Sequence, residues 1–437
     1  MAEDVKVPEG WRRVRLGEIA KVVSGFGFPT KYQGRDSGDY PFIKVEDLNR
    51  ASKYIVSADN YIDKATVDLL KAKIFPPRTI IFPKIGMALY HNKYRILKVF
   101  GTFDNNIAGI ILTKGSSEFL YYYFLWTVDL KRIAGETAVP SVKKSSLELI
   151  PIIFPPLPEQ RKIAEILETV DNAIEKTDRI IEKYKRIKQG LMQDLLTRGI
   201  AESDELGVRS YELRDEKKHR FKDSPLGRIP EEWKVGYVSK FAEINPKTGI
   251  NPTDIYPFIE MDATPIMGKW YKYLSFRKGS EAGSKFKGGD ILLARITPCA
   301  ENGKALLVPN DIRVGIGSTE FIVFRAKDGA DNVFLFYLLV SDFVRNIAIG
   351  LMEGTSGRQR IPTYVFEEVI KVAIPESLEE QHRIASILSQ IDEAIEKEKK
   401  YKEKLERIKR GLIEDLLTGK VRVNELIGGG KNIDNQN

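Results

Sequence analysis

The chain has 437 residues, 42% of them hydrophobic, enough for two or three cores, which excludes a disordered protein. Lysine and arginine number 69 against 61 aspartates and glutamates, a net charge of +8 that favours a polyanionic partner, although solvated surface charge gives the same total. A single cysteine, Cys299, excludes an internal disulfide framework, and the scattered His91, His219 and His382 give no metal-ligand spacing.

Residues 1–156 read as a first domain rich in short strands. Residues 40–45, 79–82 and 107–112 are β-branched and aromatic runs punctuated by Gly, Pro and Asn. Residues 119–133 crowd apolar side chains at helical spacing, which predicts one helix packed on the strands with Tyr121, Tyr122 and Tyr123 in the core. Residues 151–158, Pro-Ile-Ile-Phe-Pro-Pro-Leu-Pro, predict a stiff non-helical exit. The opening residues carry no apolar signal core, and no window holds the roughly 18 uninterrupted apolar residues of a membrane helix, so the expected home is a reducing cytoplasm.

A first long helix is expected over 157–199, opened by Glu159 and Gln160 and capped at Gly199. Its apolar residues include Ile163, Leu167, Ile174, Leu191 and Leu195 at a three-four spacing. Residues 200–228 are charged and polar, which suits a solvated connector. A second domain over 229–377 restarts with Pro230-Glu231-Glu232-Trp233, echoing Pro8-Glu9-Gly10-Trp11, and residues 286–296 parallel 75–85 in their apolar positions while the polar ones change.

A second long helix over 378–420 repeats the first. Shifted by about 221 positions, residues 159–197 lie on 380–418 with roughly 22 of about 39 identical. Its stripe includes Ile384, Leu388, Ile395 and Leu412, so the two helices are expected to bury their stripes against each other. Each helix carries one interior glycine, Gly190 or Gly411, which costs roughly 1 kcal/mol against alanine and points to a tight crossing or a partner surface. Residues 421–437 read as a flexible tail.

Signatures of chemistry are missing. Gly428-Gly429-Gly430-Lys431 lacks the Ser or Thr and the following helix of a phosphate loop. Asn245-Pro246-Lys247-Thr248 lacks the aromatic residue that would stack on a flipped base and reads as a turn. Asp223 with Glu232-Trp233-Lys234 imitates a nuclease spacing but falls on the repeated domain start, and no histidine is placed to serve a nucleophile. What remains is binding. Candidate DNA-facing residues are Lys84, Asn92, Lys93, Arg95, Asn105, Lys143 and Lys144 in the first half and Arg295, Asn302, Lys304, Arg358, Gln359 and Arg360 in the second. Such side chains match guanine and adenine edges, and the cations neutralise phosphates.

The doubled pattern of Pro-Glu-x-Trp, a strand-rich domain, a proline-bearing exit and Glu-Gln-x-x-Ile-Ala-x-Ile-Leu resembles the specificity subunit of type I restriction-modification systems. The motif stands as Glu159-Gln160-Arg161-Lys162-Ile163-Ala164-Glu165-Ile166-Leu167 and Glu380-Gln381-His382-Arg383-Ile384-Ala385-Ser386-Ile387-Leu388, and residues 354–362 look like a family loop whose counterpart at 135–140 departs from the pattern. The resemblance implies an α+β fold of two similar strand-rich α/β target recognition domains separated by two long helices in an antiparallel coiled coil, a pseudo-twofold tandem repeat. Each domain would read one half of a split, asymmetric site in double-stranded DNA. Ile163, Leu167, Ile174, Gly190, Leu191, Ile384, Leu388, Ile395, Gly411 and Leu412 would serve helix pairing and the docking of two modification subunits. The resemblance further implies a non-catalytic chain without cofactor, with S-adenosylmethionine, ATP and magnesium held by the modification and restriction subunits. A fused enzyme with its own methylase or nuclease centre, and a pure assembly scaffold, are the alternatives that a methyl-transfer assay and duplex binding would separate.

Overall fold

The computed structural model describes residues 7–134, 139–205, 208–355 and 357–428. Expectations for residues 1–6, for the loop at 135–138, for Ser356 and for the tail from 429 onward lie outside the described residues. The chain divides into two units, Met1–Thr177 with Tyr401–Asn437, and Asp178–Lys400. Each unit holds one globular domain and half of each long helix, Leu157–Leu195 and Leu378–Leu417.

In the first unit a buried five-stranded sheet runs in the order Ala20–Ser24, Ile107–Leu112, Ile80–Pro83, Arg95–Leu97, Tyr54–Ile55. The strand Tyr40–Ile43 organises a second sheet, pairing parallel with Thr102–Phe103 and antiparallel with Tyr61–Ile62. The sequence predicted one helix over 119–133; there are two, Ser117–Thr127 and Leu130–Ala134. Tyr121, Tyr122 and Tyr123 of the first are buried in the core, Tyr122 against the long helix and Tyr123 against the strand Pro151–Phe154. The proline-rich exit is also structured. Pro151–Phe154 is a strand paired with Arg12–Arg15, and the helix begins at Leu157 with Pro158 in its first turn. Proline is tolerated at both places, since the first residue of a strand and the first turn of a helix need no amide donor.

The second unit repeats the plan. Lys234–Tyr237 pairs with Lys371–Ile374, and one sheet runs Ala242–Ile244, Phe321–Ala326, Ile291–Ala294, Ala305–Leu307. The other runs Ser275–Lys278, Ile255–Ile259, Val314–Gly317, Ser284–Lys287, with the same parallel pair in its middle. The stretch read as a solvated connector folds as two hairpins, Ile200–Glu205 with Val208–Leu213 and Phe221–Ser224 with Gly227–Pro230. Its Arg214 is buried.

Within each unit the two helix halves run antiparallel. In the first, Lys409 Nζ lies 2.6 Å from Asp171 Oδ1, which also accepts through Oδ2 from the Tyr122 hydroxyl at 2.7 Å. In the second, Lys188 Nζ lies 2.7 Å from Asp392 Oδ1, and the Tyr337 hydroxyl donates to Oδ2 at 2.7 Å. These two sets occupy matching positions of the repeat, so each helix gives one lysine and takes one through its aspartate. The apolar stripes were expected to cover each other. Ile163 and Leu167 pack in one cluster with Leu416 and Leu417 of the other helix and with the core of the first domain, and Ile384 and Leu388 pack likewise with Leu195, Leu196 and the second domain, so each stripe serves the helix pair and its domain together.

The repeated motifs meet at the helix starts. The Trp11 indole donates to Glu159 Oε2 at 3.2 Å, and Arg422 grips both Glu159 oxygens at 3.0 and 2.7 Å. In the second unit the Trp233 indole donates to Glu380 Oε1 at 3.4 Å, and Arg214 grips the same carboxylate through both terminal nitrogens. Residues 422 and 423, assigned to a flexible tail by sequence, are therefore anchored: Arg422 is paired and Val423 is buried. Adjacent Gln160 accepts from Ser116 N at 2.9 Å and donates to Pro155 O at 2.7 Å, while Gln381 accepts from Asp331 N and donates to Pro375 O, both at 2.8 Å. Each glutamine thereby ties the start of a long helix to the cap of the core helix in its own domain. Gly199 ends the first helix at φ +61°, and a Cβ there would lie 2.6 Å from Trp233 Cζ2. Gly419 does the same after the second helix, at φ +70° against Trp11 and Pro8.

Removing a partner from a buried pair leaves a bare charge, which costs about 3–5 kcal/mol. Glu380→Ala is therefore expected to lower the unfolding free energy of the second unit by that order, read from its denaturation midpoint, with the solvent-exposed Glu231→Ala as the silent control; an unshifted midpoint would refute the clasp.

Candidate nucleic-acid interface

In each domain a polar junction lies where a central strand ends. In the first domain, strand Ile80–Pro83 leads into Lys84, whose amide donates to Asn106 O at 2.9 Å and whose carbonyl accepts from Val142 N at 2.9 Å. Ile85 bridges Ser141, and Gly86 N donates to Pro140 O at 2.8 Å. In the second, strand Ile291–Ala294 leads into Arg295, whose amide donates to Glu320 O at 2.9 Å and whose carbonyl accepts from Ile361 N at 2.8 Å. Ile296 bridges Arg360, and Thr297 N donates to Gln359 O at 3.0 Å. The backbone is the same bond for bond. Three chain segments converge in each domain, and the side chains they display differ: Lys84, Asn106 and Ser141 in one, Arg295, Glu320 and Arg360 in the other. The sequence saw no match between the loops before residues 140 and 359, yet the residues that dock, 140–142 and 359–361, are equivalent.

In the second domain the displayed groups form a charge cluster. Arg360 donates from Nε to both Glu320 oxygens, at 3.2 and 3.0 Å, and from Nη2 to Oε1 at 2.7 Å. Arg295 Nε stands 3.9 Å from Glu320 Oε2, an ion-pair distance without a hydrogen bond, and both this nitrogen and Thr297 Oγ1 are buried without a hydrogen-bond partner. Glu353 and Arg360 exchange reciprocal amide bonds at 2.9 and 2.8 Å. Gly354 and Gly357 are both at positive φ, and Arg358 is exposed. The hydrogen bond from Arg360 holds the Glu320 carboxyl below the usual carboxylate range, aided by the charges of Arg360 and Arg295 and opposed by partial burial.

Of the sequence candidates, Lys84, Asn105, Arg295, Arg358, Gln359 and Arg360 gather at these junctions, with exposed Lys143 one residue beyond Val142. Lys84 Nζ donates to Ser24 Oγ at 2.9 Å, and burial lowers the pKa of its ammonium. Others are bonded elsewhere. Asn92 Oδ1 accepts from Leu130 N at 3.2 Å, Lys93 donates to Asn49 at 2.7 Å, and Arg95 donates to the carbonyls of Ala51 and Tyr94. Lys144 pairs with Glu148 at 3.5 Å, Lys304 donates to Met261 O at 2.7 Å, and Asn302 is exposed. Sequence reasoning missed Asn106, Ser141, Thr297 and Glu320. Laying the Asn105-Asn106 doublet before Ile107–Leu112 on Thr319-Glu320 before Phe321–Ala326 would have found two of them.

On the helices, Ile163, Leu167, Ile384 and Leu388 are buried in clusters that include residues from the end of the other helix, as helix pairing requires. Ile395 is buried as well, and Ile174, Leu191 and Leu412 are half-buried. Gly190 and Gly411 mark no tight crossing: both are exposed, and a Cβ at either would meet nothing within 4 Å. Asn245 sits at φ +49° and exchanges bonds with the Val323 backbone at 2.7 and 3.0 Å, which ends the pairing of Ala242–Ile244 with Phe321–Ala326. Among the described residues no group of three His, Cys, Asp or Glu side chains is placed to hold a metal, and no single helix is long and apolar enough to cross a membrane.

Two mixed α/β domains thus alternate with two long helices, and each domain presents one junction of the same backbone plan, the architecture of a tandem repeat protein. The model of the type I restriction modification DNA specificity domain matches residues 8–185 and again 230–407, and the chain belongs to that family. It is 28% identical to the MjaVIII type I restriction enzyme specificity subunit of Methanocaldococcus jannaschii, over 97% of this chain and 95% of that one. It is 30% identical to the Escherichia coli EcoEI specificity subunit over 45% of this chain and 34% of that one. The fold is similar to the crystal structure of the type I system S subunit of M. genitalium, at a TM-score of 0.57 and 13% identity over 95% of this chain and 96% of that one.

Since the Glu320 carboxyl is depressed in the folded state, its contribution is complete above the unfolded carboxylate pKa of about 4.3 and is lost as pH falls through the lower folded value. Amide protection of Glu353 and Arg360, corrected for intrinsic exchange, should therefore be flat from about pH 7 to 5 and fall only below about 4. Glu320→Gln should abolish that acid step, and a step that persists in the variant would place its cause elsewhere.

Proposed function

We propose that this chain is the sequence-reading subunit of a type I restriction-modification complex, each domain reading one half of a two-part site in duplex DNA. The observation that carries the reading is the doubled junction: one backbone arrangement, built twice, displaying Lys84, Asn106 and Ser141 in one domain and Arg295, Glu320 and Arg360 in the other. A protein that reads two different short sequences with one fold needs this combination, a constant frame and a changeable set of donors and acceptors. The net charge of +8 supplies the sequence-independent attraction to phosphates.

The chain itself carries out no reaction in this proposal. It addresses modification subunits that bind S-adenosylmethionine and methylate adenine, and restriction subunits that use ATP and magnesium to translocate and cleave, in the cytoplasm. Two modification subunits would dock along the long helices. Ile187 and Ile408, at matching positions one turn from Gly190 and Gly411, are both exposed. Each unit also carries a cleft at the matching place, about 770 Å³ beside Ile174, Lys409 and Ile413 in the first and about 920 Å³ beside Ile395, Lys188 and Met192 in the second. Matching clefts suit two copies of one partner.

The long helices set the distance between half-sites. Each is continuous for 39 or 40 residues, roughly 58 Å at 1.5 Å per residue, which bounds the gap at about 17 base pairs. Inserting seven residues into the middle of both helices adds about 10 Å and should lengthen the tolerated gap by about three base pairs, read by sequencing methylated adenines. An unchanged gap in a complex that still methylates would refute the ruler. Duplex affinity, measured by gel shift with modification subunits present, should fall steeply between about 50 and 200 mM salt; absence of duplex binding would leave a scaffold.

A further inference from the structure

Resting on the DNA-reading function above, we infer that Glu320 is a positioning residue that fixes Arg360 to read a guanine in the half-site of the second domain. A guanidinium is planar and donates from two edges. Arg360 commits the edge formed by Nε and Nη2 to Glu320, at 2.7 to 3.2 Å, which leaves its Nη1 end directed away from the carboxylate. Nη1 has only a 3.5 Å contact to Arg358 O, so its donors are available to a ligand. The Arg360 side chain remains 40% exposed although it is held by a carboxylate only 24% exposed. The guanidinium is thus held on one edge while part of it stays open to solvent.

Its backbone is fixed as firmly. Arg360 bonds Glu353 on one side and bridges Ile296 on the other, and Glu320 is tied through its own carbonyl to the amide of Arg295. Carboxylate and guanidinium are thus mounted on two segments that both bond the strand end at Arg295 and Ile296, which leaves little rotamer freedom to lose on binding. A cation with two parallel donors on a rigid mount matches the O6 and N7 acceptors of guanine in the major groove, the pairing no other base offers. At the equivalent places the first domain has Asn106 and Ser141, so it lacks a buttressed arginine and reads its half-site by other contacts.

The test uses the full chain assembled with its modification subunits, with methylated sites mapped genome-wide for wild type, Glu320→Gln and Arg360→Lys. Both substitutions keep the volume of the side chain, but the first removes the charged buttress and the second the planar fork. At one fixed position of the second half-site, preference for guanine over the other bases should fall roughly tenfold or more in both variants, while the first half-site keeps its sequence and serves as the control for folding. Unchanged preference in both variants overturns the inference, since a purely structural pair would alter yield and not sequence. A variant that methylates nothing goes to competition binding against duplexes substituted at each position, where the same tenfold drop supports the inference and an unchanged ranking overturns it. A wild-type complex that marks no two-part site overturns the DNA-reading function as well.

Discussion

A carboxylate buried in the first turn of a long helix governs the architecture. Glu159 is 5% exposed, and Glu380 is covered nearly as well. Negative charge suits a helix N-terminus, but desolvation of a full charge requires a cation held close with good geometry. The chain supplies that cation from beyond the end of the other helix: Arg422 follows Leu378–Leu417, and Arg214 follows Leu157–Leu195. The start of each helix must then lie beside the end of its companion, which makes the pairing within each unit antiparallel. The two arginines are not at matching positions of the repeat, one lying in a short tail segment and the other after a hairpin. The halves solve one electrostatic problem with different pieces of chain.

The tryptophan of each domain start completes the clasp, and the glycine that ends each helix makes room for it. This gives one physical reason for three separated motifs. Pro-Glu-x-Trp, Glu-Gln and the terminal glycine are far apart along the chain and touch in space, around one carboxylate. The neighbouring glutamine extends the grip to the core helix, so that a globular domain cannot shift on its helix without breaking a buried hydrogen bond. The Tyr–Asp–Lys sets one-third of the way along each helix repeat the logic, with Asp171 and Asp392 each satisfied by a tyrosine of a domain and a lysine of the opposite helix.

Against this rigid frame the variable junctions stand out. The same four backbone contacts recur around Lys84 and Arg295, so their side chains project from equivalent points of the two domains. A constant frame confines change to chemistry: a lysine hydrogen-bonded to Ser24 in one domain, an arginine cluster around Glu320 in the other. Burial lowers the affinity of Lys84 for its proton, while Glu320 and Arg360 hold each other charged.

The sequence by itself determined the tandem organisation, the two long helices, the strand at 107–112 and the burial of Tyr121 to Tyr123, because each rests on local periodicity or on repetition that survives without knowing what lies nearby. It located part of each junction, Lys84, Arg295 and residues 358–360, because basic residues beside a strand end are visible locally. Only the tertiary structure decided that the helix stripes serve the domains as well as each other, that Gly190 and Gly411 lie open, that the proline-bearing exit is a strand, and that Arg95 and Lys304 are occupied by carbonyl oxygens. It alone joined Asn106 and Glu320 to the junctions. The reason is that these outcomes depend on which long-range partner satisfies a buried charge or a backbone amide, and the partner of Glu159 is Arg422, more than half the chain away.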